Sequence, residues 1–243
     1  MKNKISKLRE LISNSNKIVA FTGAGFSAGS GISTYRGAGG LWSKYDPSKY
    51  ADINYFIRNP EYYWSFFKNE RYPCLKKAKP NVGHYALVEL EKKGKIYRVI
   101  TQNIDGLHQI AGQSKVIELH GNTRKIFCMS CKKNYSMEEV YKKIKKNFPP
   151  RCSCGGILKP KTILFGESLP QHALNSATIA CHFCDLFIVL GSSLVVYPAA
   201  QLPQIAKING AKMAIINIDS TPLDNIADVV IHDSVIKILP KLV

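Results

Sequence analysis

The sequence predicts an α/β fold, a Rossmann-like parallel sheet with helices on both faces, interrupted by a small zinc-binding module and a helical insertion. Three observations carry this. Short apolar runs alternate with helical patterns along most of the chain. The runs end in polar, glycine-flanked residues. One segment, 122–160, breaks the alternation and holds four paired cysteines.

The apolar runs are KIVAFTGAG (17–25), IYRVITQN (96–103), KVIELHG (115–121), TILFGE (162–167), DLFIVLGSS (185–193) and KMAIINID (212–219). They are continuous rather than alternating, as strands buried on both faces are. One helical pattern opens at Asn59-Pro60 and runs through Phe67. A second runs from Asn81 to Lys93, with Ala86, Leu87 and Leu90 on one face, and others span 169–184 and 197–208, each near a proline suited to a first turn. Parallel sheets bind ligands at the carboxyl ends of their strands, so TGAG, TQNID, LHG, FGE, GSS and NID locate the expected site. The chain divides into a Rossmann-like domain over 1–121 and 162–243, a helical insertion over about 37–80, and a small cysteine-bearing module over 122–161.

With 243 residues, the chain can bury one sizeable core and a satellite module. A hydrophobic fraction of 45% argues against disorder. No apolar run reaches the roughly 18–20 residues that cross a bilayer. The opening MKNKISKLRELISNSNK is basic and amphipathic and lacks the apolar stretch of a secretory signal, so a cytoplasmic location is expected. A net charge of +17 could attract nucleic acid. However, Lys142, Lys143, Lys145 and Lys146 sit on a plausible helix with no aromatic stacking platform, which reads better as a solvated face. Nucleic acid is therefore not a required partner, no membrane is involved, and a monomer would suffice.

Seven cysteines in such a chain point to metal rather than disulfides. Cys128-x-x-Cys131 and Cys152-x-Cys154, 20 residues apart, can close a tetrahedral thiolate site that leaves no position for water. The expected ion is a structural Zn2+ that stabilises a module too small to fold alone. The tighter second pair is workable if Ser153 lies in a turn and Gly155-Gly156 relieves the backbone. Cys181 and Cys184 precede an apolar strand and read as packing thiols, and Cys74 as a core or half-buried residue.

Gly23-Ala24-Gly25-Phe26-Ser27-Ala28 fits the G-x-G-x-x-G/A dinucleotide turn, directly after a strand. The loop runs on through Tyr35 and Arg36, further than a phosphate cradle requires. Arg36 offers a planar fork for an anion, though taken singly a surface arginine and ordinary packing of Tyr35 and Trp42 would explain these residues. A dehydrogenase should carry an acid about 20 residues past the glycines at the end of a second strand. Asp46-Pro47 sits in a turn with no strand before it, which counts against hydride transfer.

Taken together, GAGFSAGSGISTYRG, GGLW, TQNIDGLH, VIELHG, the paired cysteines, CGGILKPKTILFGESLP, GSSLVVYPAA and INID resemble the sirtuins, in order and over nearly the whole chain. The resemblance implies an NAD-dependent protein-lysine deacylase acting on acyl-lysine proteins or peptides and giving nicotinamide, O-acyl-ADP-ribose and free lysine. It implies NAD contacts at Gly23, Ala24, Gly25, Ala28, Tyr35 and Arg36. Gln102, Asn103, Ile104 and Asp105 would position the nicotinamide and its ribose, with Asp105 on the carboxamide. Gly191, Ser192, Ser193, Asn217 and Asp233 would hold the adenosine half. His120 would be the general base, although a histidine alone at that position would read as structural. Of the other histidines, 84, 108, 172, 182 and 232, His108 is expected nearest the site. Leu164, Phe165, Gly166, Glu167 and Val195 would sandwich the acyl-lysine peptide by strand addition.

Phe26, Gly29, Ser33 and Tyr35 depart conservatively from the family pattern, which suggests altered rates rather than lost activity. In the sirtuin subgroup that removes succinyl groups, a Tyr and an Arg three residues apart read the acid. The aligned positions here are Phe67 and Glu70, so deacetylation, or removal of a longer apolar acyl chain, is expected over desuccinylation. The rival readings are an ADP-ribosyltransferase, a hydride-transfer enzyme, or a zinc protein that uses the nucleotide fold as a sensor.

Overall fold

The computed structural model describes residues 2–35 and 40–243. The first strands in chain order are β1 (Ile18–Thr22), β2 (Ile96–Thr101) and β3 (Val116–Glu118). The small module follows with β4 (Gly121–Cys128), β5 (Asn134–Ser136) and β6 (Leu158–Thr162). β7 (Leu186–Leu190), β8 (Lys212–Asn217) and β9 (Val229–His232) complete the chain. Among the described residues, β3-β2-β1-β7-β8-β9 form one parallel sheet and β5-β4-β6 an antiparallel one. With the small-sheet strands set aside, the parallel order is that of the doubly wound dinucleotide fold, and its winding reverses between β1 and β7.

Every residue of β1 and β7 is buried, because helices cover both faces of the sheet. On one face, Leu8 and Ile12 of the Lys2–Asn14 helix and Ala86, Leu87 and Leu90 of the Val82–Lys92 helix pack on Ala20, Val99 and Ile188. On the other, Ala177, Ala180 and Cys181 of the Gln171–Phe183 helix pack on Phe21, Phe187 and Val189. Asn81 starts the Val82–Lys92 helix with a capping box completed by His84. No helix among the described residues is long and apolar enough to cross a membrane.

Two strand expectations need correction. The run 162–167 is not a core strand: only Thr162 belongs to a strand, β6 of the small sheet. Its apolar content arises because Leu164 packs against the helical insertion. Conversely, β9 extends the large sheet without having been expected. It is four residues long, pairs on one side with β8, and ends without glycine.

The insertion is a chain of short helices, Pro47–Tyr50, Ile53–Arg58, Pro60–Phe66, the π-helical turn Phe67–Arg71 and Tyr72–Lys77. It shares one core with the cysteine module. Phe56, Trp64 and Phe67 pack in the same cluster as Ile126, Val140 and Leu158, and Tyr72 stacks on Tyr141 with centroids 3.6 Å apart.

Beneath the β1 turn lie two buried imidazoles. His84 and His108 have ring centroids 4.9 Å apart, and both pack on Phe26. Burial holds His84 down to about 4 and His108 to about 3. Both therefore stay neutral in the folded chain, while the unfolded chain takes up protons below the ordinary value of about 6.5. The stability these residues confer is complete above that value and is lost as pH falls towards 4, by about 1.4 kcal/mol per unit for each histidine. The melting temperature should fall steadily between pH 6.5 and 4.5. His84→Asn, which keeps an acceptor for the Asn81 amide, should make the slope shallower, and an identical slope in the variant would contradict the assignment.

Candidate active site

The site forms where β1 and β7 end side by side. The Gly23 amide donates to the Leu190 carbonyl at 3.1 Å and the Gly25 amide to the Gly191 carbonyl at 2.9 Å. A Cβ on Gly23 would lie 2.7 Å from the Gly191 oxygen. Gly191 is left-handed at φ +64, and a Cβ there would lie 2.4 Å from the Phe26 nitrogen. Only glycines permit this approach. It leaves the short helix Ala24–Ser27 starting at the cleft with Gly23 as its N-cap and no side chain hydrogen-bonded to that cap, as a dinucleotide pyrophosphate requires.

The segment after β2 is tied across this junction. Gln102 donates from its amide to Thr22 at 2.9 Å and from Nε2 to Ser192 Oγ at 2.8 Å. Asn103 Nδ2 donates to the Gly23 carbonyl at 2.9 Å and to Ser27 Oγ at 3.1 Å. Asp105 accepts from Ser27 Oγ and from the Leu107 amide, both at 2.8 Å. Burial raises the pKa of its carboxyl, against the lowering effect of those two hydrogen bonds.

His120 follows β3 and is half-buried. Its Nδ1 lies 3.0 Å from the Gln102 carbonyl. A carbonyl only accepts, so the neutral ring carries its proton on Nδ1 and keeps an acceptor lone pair on Nε2. Burial lowers the pKa of His120, and the Gln102 carbonyl opposes that. The His120 carbonyl in turn accepts from the Ile163 amide at 3.0 Å. The 163–167 segment is pinned to the insertion by Phe165 N to the Ala51 carbonyl (2.7 Å) and Ile53 N to the Phe165 carbonyl (3.0 Å).

These elements enclose a cleft of about 870 Å³. Gly23, Ala24, Gly25, Ala28 and Tyr35 line it, with Gln102, Asn103, Ile104 and His120, then Leu164, Phe165, Gly166 and Glu167, and finally Gly191, Ser192, Ser193, Asn217 and Asp233. Asp105 sits behind the wall, 4% exposed. Val195 is an exposed side chain beyond the rim, where Val196 and Tyr197 form the wall instead. Arg36 lies outside the described residues. His108 is buried behind Thr22, with Nε2 3.0 Å from Thr22 Oγ1, and does not reach the cleft.

The cleft also holds residues that sequence reasoning did not single out for it. Trp42 spans Tyr35 and Phe165, at 5.9 and 6.0 Å between ring centroids. Tyr50, Tyr63, Phe66 and Arg71 of the insertion complete the wall. Phe67 and Glu70, expected at acyl-reading positions, do not line the cleft. Phe67 is fully buried against Trp64, Glu70 is exposed beside Tyr45, and Arg71 faces the cleft in their place.

A profile of the Sir2 family matches residues 23–198. The chain belongs to the Sir2 family. It is 48% identical over 238 residues to an NAD-dependent protein deacetylase of Sulfurisphaera tokodaii, covering 98% of this chain and 94% of that protein. It is also 48% identical over 245 residues to NAD-dependent protein deacylase 2 of Archaeoglobus fulgidus, covering 100% and 96%. A Sir2 structure holding a deacetylated peptide and 3′-O-acetyl-ADP-ribose superposes with a TM-score of 0.94 at 43% identity, over 98% of this chain and 96% of that one. Another, bound to a propionylated peptide, gives 0.91 at 42% identity, over 98% and 97%.

In this Sir2 chain the four paired cysteines converge. Cys128 and Cys154 Sγ are 3.5 Å apart, as are Cys131 and Cys152, and all four lie within 4.8 Å of one another. A tetrahedron with Zn–S bonds of about 2.3 Å has sulfur–sulfur edges near 3.8 Å, so the cage fits zinc. The backbone is shaped for it: the Gly155 amide closes a turn on the Cys152 carbonyl, and a Cβ on Gly156 would lie 2.6 Å from Cys128 Sγ. The Cys154 amide and the Tyr135 hydroxyl push Cys152 down to about 5, whereas Cys131 rises to about 11 beside its neighbouring sulfurs. Cys181 and Cys184 are buried, and burial pushes both thiols well above their ordinary range. Metal analysis should find one zinc per chain. Cys152→Ser should abolish it and lower the melting temperature, and a metal-free chain with an unchanged melt would contradict a structural role.

Proposed function

We infer that this Sir2 chain is an NAD-dependent protein-lysine deacylase that, with uptake of one water, moves the acyl group of a modified lysine onto the ADP-ribosyl part of NAD, freeing nicotinamide and lysine. The observation that carries this reading is the position of His120. Its tautomer is set by Gln102 of the nucleotide-side loop, and its carbonyl is held by Ile163 of the segment that would receive the peptide.

NAD supplies an activated anomeric carbon as the acyl acceptor. The chain supplies position and proton transfer. The Ala24–Ser27 helix start would hold the pyrophosphate, Ser192, Asn217 and Asp233 the adenosine half, and Gln102 to Ile104 the nicotinamide side. Tyr35 and Trp42 would close over the reacting sugar. Nε2 of His120 would take the proton of a ribose hydroxyl. Phe165 and Gly166, pinned to the insertion, would present one edge to an extended acyl-lysine peptide. On the same reading the protein works in the cytoplasm, where its zinc thiols stay reduced, as a monomer, and without nucleic acid.

The test is product analysis with NAD and an acetyl-lysine peptide. Nicotinamide and free lysine should appear in equal amounts, together with O-acetyl-ADP-ribose. His120→Ala should lower kcat/KM by about 10²–10⁴-fold. Because burial lowers the pKa of His120 and the base acts in its neutral form, the acid limb of kcat/KM should fall off only below the ordinary histidine value. ADP-ribose attached to the peptide, or NADH, would overturn the reading.

A further inference from the structure

The charge of the chain is gathered in the cysteine module. Residues 122–161 hold eleven lysines and arginines against two glutamates, a surplus of nine out of the chain's net 17. Lys142, Lys143, Lys145 and Lys146 lie on the Met137–Lys146 helix, with Lys133 beside it in the preceding turn. None of the five forms an ion pair among the described residues. Glu139 lies near Lys133 and Lys142, but its carboxylate caps the helix by accepting from the Ser136 amide at 2.6 Å. A helix C-terminus favours a cation or two in its last turn. Lys142 stands three and four residues from Lys145 and Lys146, however, and like charges at that spacing oppose the helix. The ridge is therefore suited to a polyanion.

The helix itself carries no aromatic platform for bases, and the fold supplies one beside it. Phe148, two residues past Lys146, is 46% exposed and forms one wall of a second cavity of about 400 Å³. Tyr45, Tyr55, Tyr62 and Phe66 of the insertion form the others. Tyr55 and Tyr62 meet edge to face with centroids 5.6 Å apart, and Tyr45 and Phe66 do so at 5.0 Å. The three tyrosines are only half-buried, so part of each ring stays open. Asn59 and Asn69 bring amide groups to the cavity and Glu61 a carboxylate. Of its lining, only Phe66 is shared with the active-site cleft. Further lysines are held over rings near the ridge: Lys145 over Tyr141 at 5.1 Å, and Lys133 and Lys143 over Tyr135 at 5.6 and 5.5 Å. Cations so placed keep their charge available to a ligand.

Lysines suit a phosphate chain, and an aromatic cavity edged with amides suits a planar base. Glu61 would repel a phosphate but can accept from a base amino group, so it favours a base in the cavity. A duplex keeps its bases stacked inside, and only a single strand offers phosphates and a free base together. We propose that the lysine ridge and the Phe148 cavity form a binding site for single-stranded nucleic acid, with the backbone along Lys142, Lys145 and Lys146 and one base between Phe148 and the tyrosines. Deacylation itself calls on no nucleic acid, and this surface adds a second function outside the active-site cleft.

The experiment measures binding of the full zinc-loaded chain to a dye-labelled strand of about 16 nucleotides by fluorescence anisotropy over a salt series. DNA and RNA strands of one sequence distinguish the two sources. The preferred single strand should bind about tenfold or more tightly than its duplex, and than an abasic strand of equal length. Phe148→Ala should weaken single-strand binding about tenfold at fixed salt and leave the salt slope unchanged. Replacing Lys142, Lys145 and Lys146 together by Gln should weaken it as well and flatten that slope by about 2. Both variants should still melt cooperatively. Equal affinity for the strand, its duplex and the abasic strand overturns the proposal. Equal affinity for polyglutamate also overturns it, because the face would then fit acidic protein. So does an absence of binding at about 0.1 M salt. If a variant fails to fold, the comparison of the strand with its abasic counterpart decides alone. None of these measurements uses NAD or an acyl peptide, so their outcome is separate from that of the deacylase reading.

Discussion

The rest of the site depends on the contact between two glycine turns. Gly23 and Gly25 at the end of β1 press against Gly191 at the end of β7, with room for no Cβ on either side. This is the point where the winding of the sheet reverses, so the two turns are the lip of the crevice. A network of hydrogen bonds hangs from that contact. Asn103 holds the Gly23 carbonyl, Ser27 joins Asn103 to Asp105, Gln102 reaches across to Ser192, and His120 hangs from the Gln102 carbonyl. A side chain at any of the three glycines would separate the strands and move every member of the network at once.

The electrostatics of the crevice follow from what is buried beneath it. His84 and His108 sit under the β1 turn and are held neutral by burial. The Asp105 carboxyl lies behind the wall with both oxygens engaged. The nucleotide side therefore presents backbone amides, amide side chains and hydroxyls, which suits a ligand carrying its own phosphate charge. Among the described residues, Arg71 of the insertion brings a cation to the opposite wall of the cleft. The two walls of the cleft thus differ in kind.

Much of this was legible in the sequence, and for identifiable reasons. Continuous apolar runs mark β1, β2, β7 and β8 because those strands lie in the interior of the sheet, and glycines mark the ends of β1 and β7 because their backbones must approach. Cysteine spacing marks the metal cage because tetrahedral closure is a local demand. The failures are equally physical. The run 162–167 has the composition of a core strand, yet its apolar side chains are buried by the insertion. β9 is a short edge strand with too few residues to declare itself. Arg71 lines the cleft from the π turn Phe67–Arg71, and no motif or spacing in the sequence marks it. Asp105 carries the right chemistry in the right motif, and only the fold shows Ser27 and Leu107 already holding its oxygens.

The distance of the zinc cage from the cleft does not make it irrelevant to substrate binding, because one buried ion pair joins the two. Lys159 lies in β6, which pairs with β4, the strand that carries Cys128. Its side chain is 3% exposed and lies 2.8 Å from Glu167 Oε2, and it also donates to the Thr162 carbonyl at 2.7 Å. That same Glu167 oxygen accepts from the Leu164 amide at 2.8 Å, folding 164–167 into the turn that presents Phe165 and Gly166. Burial lowers the pKa of the ammonium, and the Glu167 carboxylate opposes the shift, so the buried Lys159 depends on its partner to keep its charge. A module unable to fold without metal would release β6, strand Lys159 without its cage of oxygens, and unfasten the peptide-facing turn. Zinc in this chain would then do no chemistry and still determine where an acyl-lysine can lie relative to His120.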